Sequence, residues 1–247
     1  MRYFIELSYD GTPFVGWQRQ PEGDSVQSCL EDAFAILFRK PLSIVGAGRT
    51  DAGVHAHQLF AHVDLDEHID QDLTFRLNKL LPKEIAIRNI VAVTQDAHAR
   101  FDANSRSYCY HITTQKNPFL QKRSYQFAKP LDLDLMNKAA KILLDHEDFK
   151  CFSKSKTDVK TYHCDIQHAY WKQNDSELIF FIQANRFLRN MVRAIVGTLI
   201  EVGLGKISIS DFKVILASRD RSQAGYSVPA HGLYLENVSY PKHIFAV

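Results

Sequence analysis

Apolar and polar residues alternate from the start of the chain: Tyr3, Ile5, Leu7 and Tyr9 fall on one side, Phe4, Glu6 and Ser8 on the other. That is the period of a β-strand, and apolar residues on both sides mark residues 2–9 as a central one. After a loop at 10–24, Asp24 or Ser25 can cap a helix whose stripe is Val26, Cys29, Leu30, Ala33, Phe34, Leu37 and Phe38, with Pro41 beyond its end. Strands are expected at 42–47 and at 58–65, the latter alternating Leu59, Ala61, Val63 and Leu65, so that they bracket a turn. A helix at about 71–81 stops before Pro82, and Ile85, Ile87, Ile90, Val91 and Val93 mark another strand.

The second half repeats the mixture. A strand at 106–114 leads through a polar loop with Pro118 to a helix at 132–145, whose Leu135, Ala139, Ile142 and Leu143 face inward. Strands at 162–171 and 177–184, a long helix at 186–202, a shorter one at 209–218 and a strand at 232–239 follow. The class is therefore α+β, in two similar halves, 1–105 and 106–247. Mainly antiparallel pairing would let their sheets join and leave a cleft, with helices on the other face.

Composition narrows the picture. With 247 residues, 45% of them apolar, the chain can build a packed core. A net charge of +2 gives no general basic field, so any nucleic-acid surface must be a local patch. No apolar run approaches the roughly 18 residues of a membrane span, and the chain enters its first strand without a signal-peptide core, so the cytoplasm is the expected location. Cys29, Cys109, Cys151 and Cys164 show no C-x-x-C spacing and are expected as reduced thiols. His55, His57 and His62 lack the spacing of known zinc motifs, and no metal is expected.

The candidate chemistry sits between the strands at 42–47 and 58–65. Residues 46–56, Gly-Ala-Gly-Arg-Thr-Asp-Ala-Gly-Val-His-Ala, hold one acid, Asp51, among small residues. Gly46, Gly48 and Gly53 permit positive φ and close approach of another chain, while Arg49 and His55 put positive or titratable groups beside the carboxylate. Such a string also suits a plain Asx-turn, although eleven residues exceed what a turn needs.

This string, with Tyr9-Asp10-Gly11, Gly16-Trp17-Gln18-Arg19-Gln20, Ala97-His98-Ala99-Arg100-Phe101, Asn190-Met191-Val192-Arg193 and Asp220-Arg221, resembles the tRNA pseudouridine synthase A family over nearly the whole chain. The resemblance implies two ferredoxin-like halves sharing an extended mixed sheet, with a central active-site cleft and two chains forming a homodimer. It implies isomerisation of uridine to pseudouridine at positions 38, 39 and 40 of the tRNA anticodon stem-loop. Asp51 matches the catalytic aspartate, Arg193 the arginine that pairs with it, and Tyr108 the active-site tyrosine. Where the family usually has Thr-Ala-Pro-Ala after Asp220-Arg221, this chain has Gly225-Tyr226-Ser227-Val228-Pro229-Ala230.

The implied chemistry can be argued from residue types. Breaking N1–C1′ and making C5–C1′ needs a group that can attack carbon or take a sugar proton and later leave, and an ionised carboxylate can do either. The reaction is redox-neutral and needs no cofactor; attack at the ribose, attack at the base and a glycal route all stay open. Arg193 can keep Asp51 ionised in a water-poor cleft. Arg186, Arg189 and Arg193 recur at helical spacing, the first two reading as a solvated face. Arg49 can hold a phosphate, fill the gap of a flipped nucleotide or pair with a nearby carboxylate. Tyr108 can stack on uracil, and Tyr110, one pleat away, can do the same or pack the core.

Substrate contact is thus assigned to Tyr108, Arg49 and His55. Trp17, Gln18, Arg19 and Gln20 in the first loop, with Lys154, Lys156, Lys160, Arg219 and Arg221 in later ones, are candidates for placing RNA. Two other classes remain open: an RNA-binding module in which Asp51 only shapes its turn, and a metal-assisted hydrolase built on Asp51, His55, His57 and His62. A pseudouridine synthase of different RNA specificity is a third reading.

Overall fold

The computed structural model describes residues 1–66, 68–154 and 159–245. In chain order its main elements are β1 (Arg2–Tyr9), α1 (Val26–Phe38), β2 (Val45–Gly46), β3 (His55–Asp64), α2 (Leu73–Leu80), β4 (Ile85–Val93), β5 (Ser105–Thr113), β6 (Tyr125–Gln126), α3 (Leu133–Ile142), β7 (Ile166–Asn174), β8 (Glu177–Ala184), α4 (Met191–Gly203), α5 (Ile209–Ser218) and β9 (Leu233–Ser239). The class is α+β with mainly antiparallel pairing, as the periodicities imply. No helix among the described residues is long and apolar enough to cross a membrane. Two compact units divide the chain: Met1–Asn104 with Tyr234–Val247, and Ser105–Leu233.

In the first unit the strands lie in the order β4-β1-β3-β9, with β2 beside β3. β1 runs antiparallel to both neighbours, Ile5 lying opposite Ala61 and Ile90, and Phe4, Ile5 and Leu7 have no exposed surface. The double-sided pattern of residues 2–9 thus belongs to a central strand. β9 joins β3 in parallel, His55 opposite Tyr234. Ser25, not Asp24, caps α1: its hydroxyl accepts from Ser28 N–H at 3.0 Å while Ser28 Oγ accepts from Ser25 N–H at 3.0 Å. Val26, Leu30 and Phe34 bury the stripe, each worth about 1.5–3 kcal/mol.

The segment expected as a strand at 42–47 is one only at Val45–Gly46. Side chains of α1 satisfy the backbone just before it: Glu31 Oε1 accepts from Ile44 N–H at 3.2 Å, and Gln27 Nε2 donates to Ile44 O at 2.9 Å. β3 conversely starts three residues earlier than its alternation suggests, at His55.

In the second unit β8 lies between β5 and β7, antiparallel to both, and β6 adds to β5 in parallel. The long helix expected at 186–202 begins only at Met191, because Asn190 sits at φ 68° and a Leu188–Met191 turn precedes it. Arg186 and Arg189 therefore do not share a helical face with Arg193. α4 is otherwise a core helix, with every residue buried except Arg193 and Glu201. The helix at 132–145 ends at Ile142 and tightens into a 3₁₀ turn, Leu143–Asp145. The strand expected from 162 begins at Ile166, since Tyr162–Cys164 instead bond Glu147 and Phe149.

Loop 97–101 of the first unit is held by side chains. His62 Nδ1 accepts from Ala99 N–H at 3.1 Å, His98 Nδ1 accepts from Arg100 and Phe101 N–H at 3.1 and 3.3 Å, and Tyr240 donates to Ala99 O at 2.6 Å. A ring nitrogen that accepts from the backbone cannot also hold a proton. Burial, then Arg2, pushes His62 down to about 4, against Asp64 and Asp102, which pull the other way; burial also lowers His98. The unfolded chain therefore binds a proton that folded His62 refuses between about pH 6.5 and pH 4. Stability should fall across that window by on the order of 2 kcal/mol and level off below it. Urea midpoints at pH 7, 5.5 and 4 should drop less in His62→Gln than in the wild type; equal drops would remove His62 as the cause.

Candidate active site

The connection from β2 to β3 carries Arg49, Asp51 and the start of the His55 strand, and other backbone pins it. Trp17 N–H donates to Thr50 O at 3.2 Å, Gly16 bridges Asp51, and Val54 N–H closes the turn on Asp51 O at 3.1 Å. Gly53 takes φ 78°, which a side chain would resist; of the three glycines marked out in this string it alone does. Gly46 is needed for another reason, since a Cβ there would lie 2.4 Å from the Trp17 ring. Asp51 itself is half-buried.

Tyr9, Asp10 and Gly11, to which the sequence assigned no individual role, support this turn. β1 bulges between Leu7 and Tyr9, an irregularity that re-aims the strand end, and Tyr9 Oη hydrogen-bonds Thr50 Oγ1 at 2.8 Å. Gly11 lies so close to the turn that a Cβ would meet Val54 O at 2.0 Å. Its N–H donates to His55 Nδ1 at 3.1 Å. Asp10 Oδ1 lies 3.1 Å from the same nitrogen, so the imidazole is held between the Gly11 backbone and a carboxylate. His55 is 2% exposed and stacks on Tyr234 with centroids 4.5 Å apart.

The other histidines diverge: His57 Nδ1 meets Glu236 at 2.7 Å on the surface, and His62 belongs to loop 97–101. Arg49 is exposed and makes no ion pair or hydrogen bond among the described residues, so the intra-turn salt bridge is not formed.

Arg193 and Tyr108 lie in the second unit. Arg193, half-buried in the first turn of α4, donates from Nε to Val228 O at 2.7 Å, and Val228 N–H returns a bond to Arg193 O at 3.2 Å. The loop 224–229 is thereby strapped to α4, and more bonds reinforce it. Gly225 N–H donates to Thr198 Oγ1 at 2.9 Å, Asn190 Nδ2 to Ser227 Oγ at 2.6 Å, and Arg221 to Gly225 O and Ser227 Oγ at 2.9 Å each. The departure at Val228 is accommodated simply: its side chain is fully buried and its carbonyl is what Arg193 uses.

Tyr108 is half-buried, its ring edge-on to Phe187 at 5.2 Å. Tyr110 has no exposed surface and donates to Pro229 O at 2.8 Å, while burial raises its pKa. Of the two tyrosines, Tyr110 is the packing residue.

Several residues expected to place RNA are otherwise engaged. Trp17 is 3% exposed and belongs to the core beneath Gly46. Arg19 pairs with Glu31 and Asp32 at 2.9 Å each, Arg219 with Asp148 at 2.9 Å, and Arg221 is spent on its own loop. Lys154 and Lys160 are exposed; Lys156 and the rest of Ser155–Asp158 lie outside the described residues.

Comparison with known proteins gives a consistent picture. The model of the tRNA pseudouridine synthase family matches residues 7–102 and 139–241. The chain is similar to a tRNA pseudouridine synthase A of Parabacteroides distasonis, 55% identical over all of this chain and 98% of the relative. One from Bacteroides fragilis is 53% identical, covering 99% of this chain and 98% of its own length. One from Bacillus subtilis is 40% identical, covering 97% and 99%.

The strap on α4 rests on a close approach that can be tested. A Cβ at Gly197 would fall 1.8 Å from Tyr226 O. Helix propensity alone favours alanine by about 1 kcal/mol, so the sign of the effect is informative. Gly197→Ala should destabilise by about 1–3 kcal/mol in urea unfolding, because a backbone carbonyl cannot fold away. A stabilised variant would mean that the loop does not sit on the helix.

Proposed function

Because the chain belongs to the tRNA pseudouridine synthase family, a family of isomerases, we propose that it converts uridine to pseudouridine at positions 38, 39 and/or 40 of the tRNA anticodon stem-loop. The observation that carries this reading is the Asp51 turn, where an acid is fixed by backbone on both sides yet left half-open to a substrate.

In the reaction N1–C1′ breaks, the freed uracil turns, C5–C1′ forms, the C5 proton is lost and N1 gains one. Asp51 does this work through its carboxylate, as a nucleophile at the sugar or the base, or as the base that takes a sugar proton on the glycal route. A paired uridine must first leave its stack, at a cost of a few kcal/mol. Exposed Arg49 can occupy the vacated space or bind a phosphate, which its lack of any partner among the described residues favours. Tyr108, half-exposed beside Phe187, offers uracil a ring to stack on, with its hydroxyl near the late proton transfer.

Arg193 matches the family's arginine and is assigned as the cationic partner of Asp51. Its Nε is fixed on Val228 O, so little side-chain freedom is left to lose. Buried His55 acts through the turn, as a brace between Gly11 and the start of β3. No cofactor is required, since nothing is oxidised or transferred between molecules. The working form is a cytoplasmic homodimer bound to tRNA.

Tritium release from transcripts labelled at uridine C5, without added metal or cofactor, tests the reading. The wild type should release tritium mapped to the anticodon arm, and Asp51→Asn should release none while still binding tRNA. Near wild-type release by that variant would end the assignment. Arg193→Ala should lose about a hundredfold or more in rate, the effect of stranding a carboxylate without its cation. A normal rate would remove Arg193 from the mechanism.

A further inference from the structure

The chain as a whole balances 30 Lys and Arg against 28 Asp and Glu, yet residues 103–131 contain Arg106, Lys116, Lys122, Arg123 and Lys129 and no acid at all. The centre of this stretch is the excursion 115–124 between β5 and β6. Its tip is a 3₁₀ turn, Pro118–Leu120, capped by Asn117, whose Oδ1 accepts from Phe119 N–H at 3.0 Å. Arg123 N–H and Ser124 N–H then close on Leu120 O at 2.9 and 3.0 Å. The backbone of the tip is thus well bonded, and it presents Phe119 at 85% exposure, the most exposed large hydrophobic side chain among the described residues. Its ring makes no aromatic or cation contact there. Phe75 and Phe101, by contrast, each have a cation over the ring, Lys79 at 5.2 Å and Arg100 at 5.6 Å.

An ordered turn that holds a bare ring in water, with Lys116, Lys122 and Arg123 exposed around it, matches a strand of RNA, which offers π-faces to rings and phosphates to cations. We infer that the 115–124 loop is an RNA-binding element in which Phe119 stacks on an unpaired base and the neighbouring lysines contact phosphates. This rests on the tRNA reading above and adds to it a contact remote from the reacting nucleotide. The loop springs from the end of β5, the strand that carries Tyr108. Five residues of strand, about 17 Å, separate Tyr108 from Thr113, the length of about five stacked bases. Thr113 Oγ1 donates to Gln115 O at 2.9 Å, and β6 brings the loop back so that Tyr125 Oη lies 3.4 Å from Tyr226 Oη on the loop strapped by Arg193. One RNA arm can therefore touch both ends of β5.

Equilibrium binding of a tRNA transcript to the full-length protein tests this, with tritium release run alongside. Phe119→Ala should raise Kd about tenfold, the loss of one base stack, and Phe119→Tyr should keep the wild-type value. Lys116→Ala with Lys122→Ala should flatten the slope of log K against log salt by about 1 to 2. Unchanged affinity in Phe119→Ala, beside a wild type that binds and releases tritium, overturns the inference and leaves the enzyme assignment standing. A shift in sedimentation of Phe119→Ala towards a smaller species also overturns it, since the ring would then belong to a contact between copies of the chain. A wild type that neither binds tRNA nor releases tritium overturns both.

Discussion

Contact of backbone against backbone, with no room for a side chain between, is the constraint on which the Asp51 turn and the loop on α4 depend. In the first unit Gly11 and Gly16 let residues 10–17 press on the Asp51 turn, where a Cβ would lie 2.0 Å from Val54 O or 2.5 Å from Thr50 O. In the second, Gly197 and Gly225 let the loop 224–229 lie flat on α4, a helix whose remaining surface is core. Turns held this way resist displacement without relying on flexible side chains. Positioning a reacting group demands that resistance, since small misplacements are costly in rate.

The arginines show how differently one residue type is used. Arg193 and Arg221 are partly buried and spend donors on carbonyls of a single loop, Arg19 answers two acids of α1, and Arg49 stands in solvent with no partner among the described residues. A planar guanidinium with several donors can brace a loop, answer two acids at once or stand open to solvent, and this chain uses it in all three ways.

What could be read in the sequence follows from where the controlling interactions lie. The helix at 209–218 and the strand at 177–184 have the boundaries that their periodicity implies, because their caps and apolar faces are local. The start of α4 was not legible, since Asn190 breaks the helix by a left-handed backbone and bonds Ser227, 37 residues away. Nor was the shortness of β2, whose preceding residues are held by Glu31 and Gln27 on a neighbouring helix. At the candidate site, the glycine-rich string marked Asp51, but burial decided between Tyr108 and Tyr110 and took Trp17 out of reach of solvent. Burial is a property of partners, and alternation along one strand does not name them.

The parallel pairing of β3 with β9 has a consequence for biosynthesis. The unit that carries Asp51 is encoded in two pieces, Met1–Asn104 and Tyr234–Val247, and its sheet lacks β9 until the second piece exists. About 130 residues, or roughly 6 to 26 seconds of translation at about 5–20 residues per second, separate the two. During that interval His55 and Ala56 at the start of β3 lack their β9 partners, while His62 and Ala61 already pair with β2. The intervening unit is complete within Ser105–Leu233 and can form before that, so the strand that follows the Asp51 turn gains its β9 partner only as the last strand emerges.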